Sequence, residues 1–95
     1  MNTYLLIELI NRNNDFDIME IDSEGNEFYY RKGKLHRLNG PAIERQNGYK
    51  AYYVNNKRHR LDGPAIKWAN DYKEYWINGQ QFTEEEFLRQ IFFLD

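Results

Sequence analysis

Apolar positions along this chain come in short runs, each closed by turn-forming residues, until the last dozen positions. Tyr49 to Val54 is rich in aromatic and β-branched residues and reads as a strand. Asn47-Gly48 precedes it as a tight-turn signal, since both residue types tolerate positive φ. Asn55-Asn56 offers a second turn. Its counterparts Lys32-Gly33 and Asn78-Gly79 put Gly where Asn56 stands, as a left-handed turn position requires. Ala65-Ile66-Lys67-Trp68 reads as the next strand, running into a turn near Asn70-Asp71. Between strands, Gly40-Pro41 and Gly63-Pro64 stop any helix and cannot occupy a central ladder, because proline has no N–H. Each unit is therefore predicted to be a pair of short antiparallel strands joined to the next by an ordered loop.

The pattern repeats. His36-Arg37-Leu38-Asn39-Gly40-Pro41-Ala42-Ile43 returns as His59-Arg60-Leu61-Asp62-Gly63-Pro64-Ala65-Ile66, 23 residues on. Tyr29-Tyr30, Tyr52-Tyr53 and Tyr75-Trp76 keep the same step, as do Gly33, Asn56 and Gly79. A fixed period of this length marks an array of small units, none able to bury its apolar face alone. The expected fold is mostly β: an antiparallel β-hairpin repeat array, a meander sheet, with a C-terminal capping helix. Tyr30, Tyr53 and Trp76 are expected to form one stacked apolar row inside it.

The ends depart from the repeat. Tyr4 to Ile10 and Phe16 to Ile21 flank Asn11-Arg12-Asn13-Asn14 and read as a hairpin, although Tyr4 to Ile10 also suits a short helix. Asp17 to Tyr30 aligns imperfectly with Gly40 to Tyr53, so the array begins before its first full motif. In the third unit Phe82-Thr83 stand where His-Arg would be. Thr83-x-x-Glu86 is a capping box, and Glu84, Glu85 and Glu86 put acids where the helix dipole favours them. Phe87, Ile91 and Leu94 then mark one helical stripe, with Leu88 beside it. The expected organisation is one domain: a partial repeat over 1–28, repeats over 29–82 and a capping helix over 83–95.

Composition narrows the chemistry. There are no cysteines among the 95 residues, so disulfides and thiolate metal sites are excluded; two histidines without cysteine make no zinc pattern. No cofactor is expected. Tyr4 to Ile10 is too short to span a bilayer and lacks the flanks of a signal peptide, so a soluble, cytoplasmic protein is expected. The net charge of −2 conceals a polarity. Residues 31–60 carry nine basic residues against Glu44 alone, a net of +8, between ends of net −6 and −4. A basic middle is either an anion-attracting face or the inner half of an internally compensated array.

The candidate binding residues are Arg31, Lys32, Lys34, His36, Arg37, Tyr52, Lys57, Arg58, His59 and Arg60. Two readings of the repeated His-Arg pairs stay open. Arginine offers bidentate donors for phosphate or carboxylate. Equally, His and Arg can bond the carbonyls of the Gly-Pro loop while Asn39 and Asp62 pair with Arg or cap backbone. On the second reading the positions that vary between units, Arg31/Val54 and Leu35/Arg58, are the better partner contacts. No nucleophile–base order, phosphate loop or pocket signal supports catalysis.

The pattern Tyr-x-x-x-Gly-Lys-x-His resembles the MORN (membrane occupation and recognition nexus) repeat. Tyr29 to His36 and Tyr52 to His59 carry the resemblance, and Tyr75 to Gly79 its first half, within about residues 17–80. Arg37 and Arg60 stand where the usual unit has glycine. The Arg-x-Asn/Asp-Gly-Pro-Ala continuation is similar to a divergent branch of small bacterial and phage proteins. The resemblance implies a hairpin array that binds proteins or, in some members, acidic lipids; the departure at Arg37 and Arg60 counts against lipid. The expectation is a non-enzymatic protein binder, such as a phage-encoded inhibitor of a host defence protein. The alternatives are an anion module, for nucleic acid or nucleotide, and an assembly module or oligomer formed through free sheet edges.

Overall fold

The computed structural model describes residues 5–10 and 16–93. Eleven strands and one helix follow in order: β1 Leu5–Ile10, β2 Phe16–Ile21, β3 Glu27–Arg31, β4 Lys34–Leu35, β5 Ile43–Glu44, β6 Lys50–Ala51, β7 Tyr53–Val54, β8 Lys57–Arg58, β9 Ile66–Lys67, β10 Lys73–Ile77, β11 Gln80–Phe82 and α1 Glu84–Phe92. Every pairing is antiparallel. The main sheet runs β1-β2-β3-β5-β6-β9-β10-β11, with β4 on β3, and β7-β8 forms a separate ribbon. The expected meander array with a C-terminal helix is what the chain forms. Leu5–Ile10 is a strand paired with β2, which settles the strand-or-helix alternative; the turn expected at Asn11 to Asn14 lies outside the described residues.

Two kinds of turn, each repeated at the 23-residue step, generate the array. The first is a three-residue hairpin loop with one left-handed residue, at Gly25 (φ 84°), Gly48 (98°) and Asp71 (69°). The bonds Asp22 N–H to Asn26 O, Arg45 N–H to Tyr49 O and Trp68 N–H to Tyr72 O close it three times. This corrects the reading of Asn47-Gly48: only Gly48 is left-handed. Asn47 acts through its side chain, accepting the Tyr49 N–H at 3.0 Å as Asn70 accepts that of Tyr72 at 3.1 Å. The second turn has both central residues left-handed: Lys32-Gly33 (50°, 77°), Asn55-Asn56 (50°, 67°) and Asn78-Gly79 (49°, 81°). That is the type I′ signature, whose twist matches the strands it joins. The first kind already occurs at Asp22–Asn26, so the array does start ahead of its first full motif.

The molecule is one sheet thick, 43 × 36 × 16 Å, so each face must be covered locally. One face gathers Ile43, Ala51 and Ile66, with Phe28, Leu35, Tyr49, Tyr53 and Trp76 packed against them. Tyr53 and Trp76 thus both pack on the core as expected, but they are joined through Arg58, which lies over the Trp76 ring and bonds the Tyr53 hydroxyl, and not by ring stacking. Tyr30, at the equivalent position one unit earlier, stands outside this cluster, level with Ile18 and Leu35. All three aromatics are half-buried, because a single layer has no second sheet to close over them. The opposite face carries Tyr29, Tyr52 and Tyr75, with the fully buried Ala42 and Ala65 level with the first two. The His-Arg loops cover this face and give it its chemistry.

Candidate binding face

Each His-Arg loop is built around its arginine. The Arg37 guanidinium lies 3.9 Å from the Tyr29 ring centre, and that of Arg60 lies 4.0 Å from the centre of Tyr52. Arg37 donates from Nε to Asn39 Oδ1 at 3.3 Å and from Nη1 to the Pro41 carbonyl at 3.2 Å. Arg60 repeats both bonds, to Asp62 Oδ1 at 2.9 Å and the Pro64 carbonyl at 3.1 Å. A Cβ on Gly40 or Gly63 would stand 2.9 Å from the respective guanidinium carbon, so glycine is the residue that lets the loop close over the cation.

The histidines join one unit to the next. His36, 8% exposed, accepts the backbone N–H of Asn55 at Nδ1 (3.1 Å); His59 accepts that of Asn78 (3.0 Å). Arg37 N–H to Tyr53 O and Asn56 N–H to Leu35 O reinforce the first junction. Arg60 N–H to Trp76 O and Gly79 N–H to Arg58 O reinforce the second. Arg37 and Arg60 thus bond the loop carbonyls as one reading of the pairs expected, whereas His36 and His59 accept N–H groups of the next unit instead of bonding the Gly-Pro carbonyls.

The other candidates divide between the faces. Arg58 turns away from the loops, over the Trp76 ring at 4.7 Å and donating from Nε to Tyr53 Oη at 3.2 Å. That hydrogen bond holds its pKa above the ordinary arginine value. Arg31 ends β3 opposite Lys34, and Lys32 is the first left-handed residue of its turn. Lys57 stands opposite Val54, and both Lys34 and Lys57 are exposed. Arg37, Tyr52, His59 and Arg60 come together with Val54, Leu38 and Leu61 around a groove of about 480 Å³ between the two loops.

Leu38 and Leu61 were not among the residues singled out from the sequence. They are the one apolar position of the repeated loop, and they are 76% and 51% exposed. Their signal was a leucine recurring between polar turn residues, where no core demands it.

Electrostatics separates the two loops. Asp62 answers Arg60 with a carboxylate, and the Arg60 hydrogen bond holds the Asp62 pKa below its ordinary value. Asn39 occupies the same place beside Arg37 and carries no charge. No carboxylate among the described residues pairs with Arg37, Lys34 or Lys57. A larger hollow, about 670 Å³, lies at the start of α1 among Asp71, Tyr75, Glu84 and Glu86. Its acids are already engaged: Glu84 accepts from Tyr75 Oη, and Glu86 closes the capping box with Thr83. No group of three or more His, Cys, Asp or Glu suited to a metal occurs among the described residues. No helix among them is long and apolar enough to cross a membrane. Comparison with family models, curated proteins and solved structures gives no match to this chain.

Proposed function

We propose that this chain is a non-catalytic, MORN-like binding module that recognises a protein partner through its loop face. The observation that carries this reading is the exposure of Leu38 and Leu61. The His, Arg, Asn or Asp, Gly and Pro of each loop have internal tasks; the leucine has none, yet both units keep it. An apolar side chain held in water on an internally hydrogen-bonded loop beside a groove is suited to contact with another protein.

Nucleic-acid binding has less support. The Tyr29 and Tyr52 ring faces that would stack on bases are covered by the chain's own guanidinium groups. Of the two arginines that would contact phosphate, Arg60 is already paired with the Asp62 carboxylate, which leaves Arg37 alone to meet a backbone whose grip depends on many such contacts.

The test compares capture by the parent with capture by the Leu38→Ser/Leu61→Ser double variant. Both sites are exposed, so the variant should melt within a few degrees of the parent. Proteins that the parent retains and the variant releases support the loop face as the interface. Identical capture profiles move the site elsewhere.

A further inference from the structure

We infer that the segment held in the groove between the two loops is acidic and inserts an apolar side chain between Leu38 and Leu61. This rests on the loop face being the binding surface, and goes beyond it by assigning the partner's chemistry.

The groove has an apolar throat and a charged rim. Val54, Leu38 and Leu61 line it, so a leucine- or phenylalanine-sized side chain finds apolar surface there. The rim is cationic, and unevenly so. Arg60 is neutralised by Asp62 within its own loop, 2.9 Å away. Arg37 has only the neutral Asn39 in that place, and two of its five donors are engaged, by Asn39 and Pro41. An acidic residue flanking the apolar anchor therefore finds its complement on the Arg37 side. A basic segment would meet like charge there.

Asn39 and Asp62 make the inference testable without disturbing the fold, because each unit already shows that the other's residue is tolerated. Asn39→Asp copies the Arg60–Asp62 pair into the first loop and removes the spare charge. Asp62→Asn does the reverse and frees Arg60.

The experiment selects a displayed library of random short peptides on the full chain, then measures affinities of a synthetic copy of the best binder. The expected peptides combine Asp or Glu with Leu, Ile, Phe or Trp, and their affinity falls with added salt. Asn39→Asp should weaken the best binder roughly two- to fivefold, the scale of one exposed charge contact, and Asp62→Asn should strengthen it by a similar factor. Melting curves confirm that both variants fold.

Enrichment of basic or uncharged peptides, failure to enrich any, or affinity indifferent to both substitutions overturns the acidic partner. If uncharged peptides bind and release on Leu38→Ser/Leu61→Ser, the loop face stands and only the partner's charge is wrong. If acidic peptides bind and ignore that double variant, the loop-face reading falls as well.

Discussion

The Arg37 guanidinium is held between the Tyr29 ring, 3.9 Å away, and the backbone of Gly40, where a Cβ would come within 2.9 Å of it. Gly40→Ala should push the guanidinium off its ring and away from the Pro41 carbonyl. The guanidinium is the far end of a flexible side chain, so the loss is that of the stacking and the bond rather than of a rigid clash. About 1–2 kcal/mol is expected in urea denaturation. In a double-mutant cycle with Arg37→Ala, the glycine change should cost almost nothing once the arginine is gone. Additive effects would place the role of Gly40 elsewhere.

That sandwich also shows what the sequence revealed and what it hid. Period, turn positions and helix start were legible because they depend on local chemistry: left-handed turn residues, Gly-Pro breaks and a capping box. The face of each side chain was less so. Arg58 replaces Leu35 of the first unit and looked like a variable surface contact. It stacks on Trp76 because a one-layer sheet must cover its aromatics with long side chains. Leu38 and Leu61 were hidden by the opposite assumption, that whatever each unit repeats serves its own fold.

The Asn55 N–H to His36 Nδ1 bond crosses a unit junction in a buried position. His36→Phe keeps a ring of similar shape and removes the acceptor. A destabilisation of about 1–3 kcal/mol is expected, the range for a buried donor left unsatisfied. The Asn55 amide should lose hydrogen-exchange protection more than the amides within β9 and β10. Unchanged protection at Asn55 would mean that the imidazole does not hold the junction.

Arg58→Glu should destabilise the fold by about 1–2 kcal/mol, because it removes the Trp76 stacking and the Tyr53 hydroxyl bond together. Tyr53→Ala should lower stability by about 2 kcal/mol, less than the loss for a fully buried aromatic since Tyr53 is half-exposed. Thermal melts decide both. An Arg58→Glu protein as stable as the parent would show the arginine to be a free surface group after all.

In the third unit, Phe87 does what arginine does in the first two. It is 4% exposed and lies 4.9 Å from Tyr75, ring to ring, while Thr83 at the arginine position caps α1. Ile91 is half-buried and Leu88 exposed; Leu94, expected on the same stripe, lies outside the described residues. Phe87→Ala should cost about 3 kcal/mol. Ending the chain after Phe82 should uncover Tyr75 and promote association, read by light scattering against concentration. A truncated chain that stays monomeric with unchanged stability would leave α1 with no capping role.

Asp62 gives the array a pH signature. Its hydrogen bond with Arg60 holds the folded-state pKa below the ordinary 3.8, so the folded protein favours the ionised carboxylate. A group depressed in this way adds stability at every pH above its unfolded pKa, and loses it as the pH falls through the lower folded value. Asp62→Asn keeps the Nε–H acceptor and removes the charge, as Asn39 does in the first loop. Urea midpoints measured for parent and variant should therefore differ most above about pH 5 and converge as the pH drops below about 4. Asp22, also held below its ordinary value by bonds from Asn26, titrates in the same direction in both proteins and cancels from the comparison. The converging gap is the signature of the Arg60–Asp62 pair. A gap that stays constant down to about pH 2.5 would show that the substitution acts through loop geometry and not through the charge.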